Sequence, residues 1–262
     1  SPIYGTVGYQ APEIATDGPS VASDLYTVGR TLAVLSIDFA GFTSRYAHGL
    51  PGPDEVPLFA AHEPYHRLLT RATHPDPDQR FDSAIEMAGQ LIGVLREILA
   101  AEDGQPRPAP SSLFGPEVAV ATVAPTGPTG PPIVPPTAAE AAAALPVPYV
   151  DVADPAAGFL AGVVATDPAE LVAALSAAPV ASPEVGLRLA RALIVAGDVD
   201  AADVELDAIV DAGADDWRVA WYRALSLLAA GDPEAARTGF GDVHDLYAGE
   251  TAPKLALAAC AE

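Results

Sequence analysis

Residues 151 to 262 read as one helix after another, separated by short turns. Alanine dominates, and it loses no side-chain entropy on entering a helix, so helix is favoured over strand. The segment marks its own boundaries. Asp167-Pro168 and Ser182-Pro183 each set a capping side chain before a proline at the first helical position. Gly197-Asp198 and Gly231-Asp232 read as turns between helices. Residues 101–150 break this pattern with prolines, in runs such as PTGPTGPPIVPP. Proline lacks an amide donor and prefers extended backbone, so most of this stretch is expected to be a semi-rigid linker. A short helix at Thr137–Leu145 interrupts it. Residues 1–100 are mixed, with Tyr, His, Phe and Arg among the apolar positions.

The two Gly-Asp turns lie 34 residues apart, and Ala190/Ala224, Ala202/Ala236 and Leu206/Phe240 keep the same offset. A 34-residue period with small residues at fixed places is the signature of tetratricopeptide (TPR) repeats; the alternative is a generic alanine-rich bundle. Antiparallel helices approach closely only where side chains are small, here Ala190 and Ala224 against Ala202 and Ala236. Leu193, Leu206, Leu227 and Phe240 are expected to fill the remaining space. A third repeat starts at Thr251 and stops after its first helix, so residues 151–262 are expected to form a TPR-like domain truncated at its C-terminus. The fold class expected for the whole chain is all-α.

Composition narrows the function. The formal net charge is −22. That field repels nucleic acid and anionic lipid, so neither is expected as a partner. Cys260 is the single cysteine, which excludes an internal disulfide and a thiolate metal cluster. No uninterrupted apolar run of about 20 residues occurs, so no membrane span is expected, and no signal peptide is visible. A soluble, cytoplasmic protein is the expectation. Both ends look cut: residue 1 is Ser, and Glu262 falls inside a helical pattern.

Residues 1–100 carry three motifs in a telling order. GTVGYQAPE (Gly5–Glu13) resembles the close of a protein-kinase activation segment, with Ala11-Pro12-Glu13 as A-P-E. SDLYTVGRTLAVL (Ser23–Leu35) resembles the start of the large buried helix of the kinase C-lobe. HPDPDQRFDSAIEM (His74–Met87) resembles the stretch near the end of the kinase domain. The resemblance implies a partial C-lobe over residues 1–100, in which Glu13 and Arg80 form a buried ion pair. It implies that Asp24 sits at a helix start and accepts hydrogen bonds from the catalytic-loop backbone. It implies that Thr6 hydrogen-bonds the catalytic Asp and that Val7, Gly8 and Tyr9 receive the substrate residue following the phosphorylation site. For Glu13, Asp24 and Arg80 a purely structural role is the preferred reading.

Longer stretches, ALPVPYVDVADPAAGFLAG, WRVAWYRALSLLAAGD and GETAPKLALAACAE, together with SDLYTVGRTLAVLSIDF, are similar to the actinobacterial protein kinase G family over nearly the full length. That resemblance implies a Ser/Thr kinase using ATP and Mg²⁺, with a TPR domain that contributes to dimerisation. It also implies a forkhead-associated (FHA) domain protein substrate that controls 2-oxoglutarate and glutamate metabolism.

Catalysis by this chain alone is not expected. A kinase needs a phosphate-binding lysine, the Asp of H-R-D, an Asn for one Mg²⁺ and the D-F-G Asp. The chain has no asparagine, and its only lysine is Lys254, on a TPR helix. Asp38-Phe39-Ala40-Gly41 is not D-F-G and follows A-P-E, while Tyr65-His66-Arg67-Leu68 lacks the Asp of H-R-D. The letters of H-E-x-x-H at His62–His66 suggest a zinc protease. Pro64, however, marks a helix start and puts His62 outside it. Trp217 and Trp221, four apart on one helix face, suit core packing better than ligand stacking. Three functions remain: a kinase fragment completed by an upstream half, a non-catalytic TPR interaction module beside a relic lobe, and, least supported, a metalloprotease. A C-lobe without its N-lobe exposes apolar surface, so residues 1–100 are expected to aggregate or be proteolysed in isolation.

Overall fold

A computed structural model describes residues 5–115 and 136–261. Among these residues there are twelve α-helices, two 3-10 turns and no strand, an all-α fold. The chain divides into two compact units. The first comprises Ser1–Ala109 with His244–Glu250, and the second Pro110–Val243 with Thr251–Glu262.

The first unit is built on α1 (Val21–Ser36). Its start is fixed by a reciprocal capping box, in which Ser20 accepts from the Ser23 amide and Ser23 from the Ser20 amide. α2 (Pro57–Ala61), α3 (Glu63–Ala72) and α4 (Ala84–Asp103) follow. Leu25, Ala33, Phe59, Leu68, Leu69, Phe81, Met87 and Val94 form their shared core. Gly29 lets α1 approach α3 closely, since a Cβ there would lie 2.7 Å from that of Ala72. His244–Glu250 lies on α4, where Gln90 Oε1 accepts from the Gly249 amide at 2.8 Å.

In the second unit α5 (Ala138–Ala144), α6 (Ala157–Gly162) and α7 (Pro168–Ser176) lead into a regular stack. Its helices are α8 (Pro183–Ala196), α9 (Val199–Asp211), α10 (Trp217–Ala229), α11 (Pro233–Leu246) and α12 (Thr251–Ala259). The starts Pro183, Trp217 and Thr251 are each 34 residues apart, as are Val199 and Pro233. Gly197 and Gly231 take φ of +84° and +85°, ending α8 and α10 with the same pair of backbone bonds. The Gly197 and Asp198 amides reach Ile194 and Leu193, and those of Gly231 and Asp232 reach Leu228 and Leu227. Ala190, Ala202, Ala224 and Ala236 are all buried, which lets these helices pack closely.

One expectation changes. Leu227 is exposed, whereas Leu193, Leu206 and Phe240 are buried. At about 100° per residue, Leu227 points away from the arc that buries Trp221, Tyr222, Leu225 and Leu228, so those residues fill the space instead. The short helix expected at Thr137–Leu145 forms as α5, and the described residues on either side of the PTGPTGPPIVPP run make specific contacts. α4 runs on to Asp103. At the other end α5 is capped by a Thr137/Glu140 box, and Arg191 of α8 donates to the Ala142, Ala143 and Leu145 carbonyls at 3.0, 2.6 and 3.5 Å. A guanidinium on the last carbonyls of a helix satisfies groups that have no helical partner. Phe114 bridges to Pro148 and packs edge-on against Trp217 and Trp221 at 5.3 and 4.8 Å. The PTGPTGPPIVPP run lies outside the described residues.

Candidate functional site

The first unit brings residues 5–13, α1, residues 38–49 and Arg80 together. Arg80 is fully buried and grips Glu13 with both ends of its fork, at 2.6 and 2.8 Å. Its other donor positions reach the carbonyls of His74, Ala22 and Pro75, and its guanidinium lies 4.8 Å from the Tyr26 ring. Fork-to-carboxylate pairing is the strongest geometry available to these two groups. The Arg80 bond holds the Glu13 carboxyl below its ordinary range against the opposing effect of burial. Ala11 and Pro12 lead into a 3-10 turn, Pro12–Ala15, so the A-P-E tripeptide is tied to the His74–Arg80 segment.

Residues 5–10 form a tight turn, with the Tyr9 amide on the Thr6 carbonyl at 3.1 Å. Gly8 has φ of +89°, and a Cβ there would meet the Phe42 ring at 2.7 Å. Glycine is therefore required twice over, by conformation and by space. Tyr9 packs edge-on against Phe42 at 5.5 Å, and its carbonyl accepts from Thr27 Oγ1 at 3.1 Å. Thr6 and Val7 face solvent, Val7 at 71% exposure. Asp24 is exposed in the first turn of α1.

Arg30 was not legible as a site residue. It is 0% exposed, yet among the described residues it pairs with no carboxylate. It donates to four backbone carbonyls: Gly8 at 2.8 Å, Gly49 at 2.6 Å, Phe42 at 2.7 Å and Tyr46 at 2.9 Å. Its guanidinium also lies 4.9 Å from the Phe39 ring, and burial lowers its pKa. The one signal in the sequence is position: an arginine one turn after Tyr26, on the face that also buries Leu25, Gly29 and Ala33. Phe39, part of the D-F-A-G string, is a core residue beneath this cage.

His62 is the N-cap of α3, with Pro64 inside the first turn. The letters H-E-x-x-H therefore do not put two histidines on one helix face. His66 lies 4.8 Å from the Phe59 ring and lines a cleft of about 390 Å³ with Glu63, Arg67 and Asp245, across which Arg67 bridges the two carboxylates. Among the described residues no group of three His, Cys, Asp or Glu side chains could hold a metal ion. No helix there is long and apolar enough to cross a membrane. The chain's one lysine, Lys254, lies on α12, and the sequence holds no asparagine.

Comparison with known proteins agrees with this division. The serine/threonine-protein kinase PknG of Mycobacterium leprae is 42% identical over 99% of the chain. PknG of Mycolicibacterium smegmatis is also 42% identical over 99% of it. The chain spans 36% of the length of each of these relatives. Residues 109–262 match the family model for the protein kinase G tetratricopeptide repeat, a span that begins within a residue of the second unit. The chain belongs to the protein kinase G family, with residues 109–262 as the TPR region of that family.

Proposed function

We propose that this chain is the substrate-side rear of a Ser/Thr protein kinase C-lobe joined to a TPR domain, and that an upstream segment supplies ATP binding, Mg²⁺ binding and catalysis. The observation that carries this reading is the Glu13–Arg80 fork, which closes an A-P-E segment onto the His74–Arg80 stretch. A second feature supports it. α1 exposes Val21, Val28 and Leu35 at 61%, 47% and 79%, along one stripe with Asp24. These residues recur at helical spacing, as on a face that packs against further structure.

On this reading Thr6 helps place a substrate hydroxyl, and Val7, Gly8 and Tyr9 receive the residue that follows it. Glu13, Asp24 and Arg80 hold the lobe together. The substrate is a protein with an FHA domain regulating 2-oxoglutarate and glutamate metabolism, and the TPR unit contributes to a homodimer. The setting is the cytoplasm.

The test is phosphate transfer from ATP with Mg²⁺ by the full-length natural protein. Labelled phosphate is expected on an FHA-domain protein. A folded full-length protein that labels neither such a protein nor itself would overturn the kinase reading. It would favour a non-catalytic TPR module instead, a reading that the missing lysine and asparagine motivate.

A further inference from the structure

Arg30 brings a cation into the core at a desolvation cost, which its bonds to four carbonyls offset; an apolar side chain would avoid that cost but leave those carbonyls without their donor. What the guanidinium supplies is a joint between segments. Its four acceptors belong to two stretches separated in sequence: Gly8 in the 5–9 turn, and Phe42, Tyr46 and Gly49 in residues 38–49. The planar fork offers five donors in fixed directions, so moving one acceptor misaligns the others. Two further contacts join the same stretches: the Phe42 ring lies against Tyr9 and occupies the space a Gly8 side chain would need.

We infer that Arg30 is a positioning residue that makes residues 38–49 part of the substrate-receiving surface, by holding the 5–9 turn and that segment as one mechanical piece. This rests on the reading of Val7–Tyr9 as the substrate-receiving turn. Arg30 touches no substrate. It fixes the Gly8 carbonyl and, through Phe42, the Tyr9 ring, and so sets how Val7 is presented. A change in residues 38–49 is thereby transmitted to the turn.

Two measurements on the full-length protein test the inference. The first is hydrogen exchange of the unaltered protein across a mild denaturant series. It does not depend on any enzymatic activity. Amides of residues 9 and 44–49 are expected to share one opening transition, with equal denaturant dependence. Opening of residue 9 well before residues 44–49, with a different dependence, would overturn the coupling. The second is a positional Ser/Thr peptide array with wild type and Arg30→Lys, in which the compact ammonium cannot reproduce the fork. Peptide KM is expected to rise about tenfold, equivalent to about 1.4 kcal/mol. Preference at the position after the acceptor is expected to flatten, while KM for ATP stays within about twofold. A folded Arg30→Lys protein with wild-type peptide KM and preference would overturn the positioning role. Inactivity of the wild type would instead sink the kinase reading and leave the exchange result to decide the coupling.

Discussion

Arg80→Met is expected to destabilise the first unit by roughly 3–5 kcal/mol, the usual effect of leaving a buried charge without its partner. Arg80 is fully buried, and Glu13 is 11% exposed. Removing the guanidinium leaves the Glu13 carboxylate unpaired. It also strips the donor from the carbonyls of His74, Ala22 and Pro75. Denaturant unfolding of the full chain, followed by a probe in the first unit, reads the loss. Glu13→Gln should cost less than Arg80→Met, because an amide still accepts from Arg80 and the carbonyl bonds survive. A loss of under 1 kcal/mol for Arg80→Met would mean that the pair is not holding A-P-E in place. The pH dependence has a definite sign. Arg80 lowers the folded-state pKa of Glu13 below the ordinary 4.5. Its stabilisation is therefore fully present above the unfolded value and is lost as pH falls through the depressed folded value. Glu13→Gln should flatten that acid limb.

Trp221→Ala should cost the TPR unit about 3–5 kcal/mol, as for a large aromatic removed from a packed core. Trp221 is 0% exposed. Phe114 and Phe240 pack edge-on against it at 4.8 and 5.1 Å, so one side chain joins a residue ahead of α5 to α10 and α11. Trp221→Phe should cost much less. It keeps an aromatic ring and removes an indole N–H that is buried with no hydrogen-bond partner among the described residues. Thermal unfolding followed by circular dichroism distinguishes the two variants. Equal losses would show that the ring packing matters less than the geometry implies.

What the sequence reveals here is what repeats or caps. The 34-residue period needs only the chain's own offsets, and Asp167 and Ser182 cap helices because cap chemistry is local. A-P-E and the arginine of the His74–Met87 stretch are legible because each has a specific partner. Arg30, Arg71 and Arg191 were not legible as structural centres. The hydrogen-bond partners of Arg30 and Arg191 are backbone carbonyls, which every residue carries, and Arg71 adds to such carbonyls the Glu86 carboxylate at 2.8 Å, so sequence marks all three only as cations on buried faces. Arg71 reaches furthest along the chain: it sits 4.2 Å from the Phe81 ring and donates to the carbonyl of Leu246, 175 residues away in sequence. Proline density reports backbone preference, while single buried apolar residues such as Phe114, Ala142 and Leu145 decide what packs among the described residues on either side of the proline run. The 5–10 turn was visible as a string, but its attachment to residues 38–49 was not, because that attachment runs through Arg30 and the Phe42 ring.

The central claim, a kinase lobe completed from upstream, is tested most directly by the intact mass of the natural gene product, read with the reading frame ahead of Ser1. The account predicts a product far larger than 26.7 kDa, with a phosphate-binding lysine, H-R-D and D-F-G ahead of the A-P-E at Ala11. A natural product of 26.7 kDa would contradict it and leave the TPR unit as the function to explain.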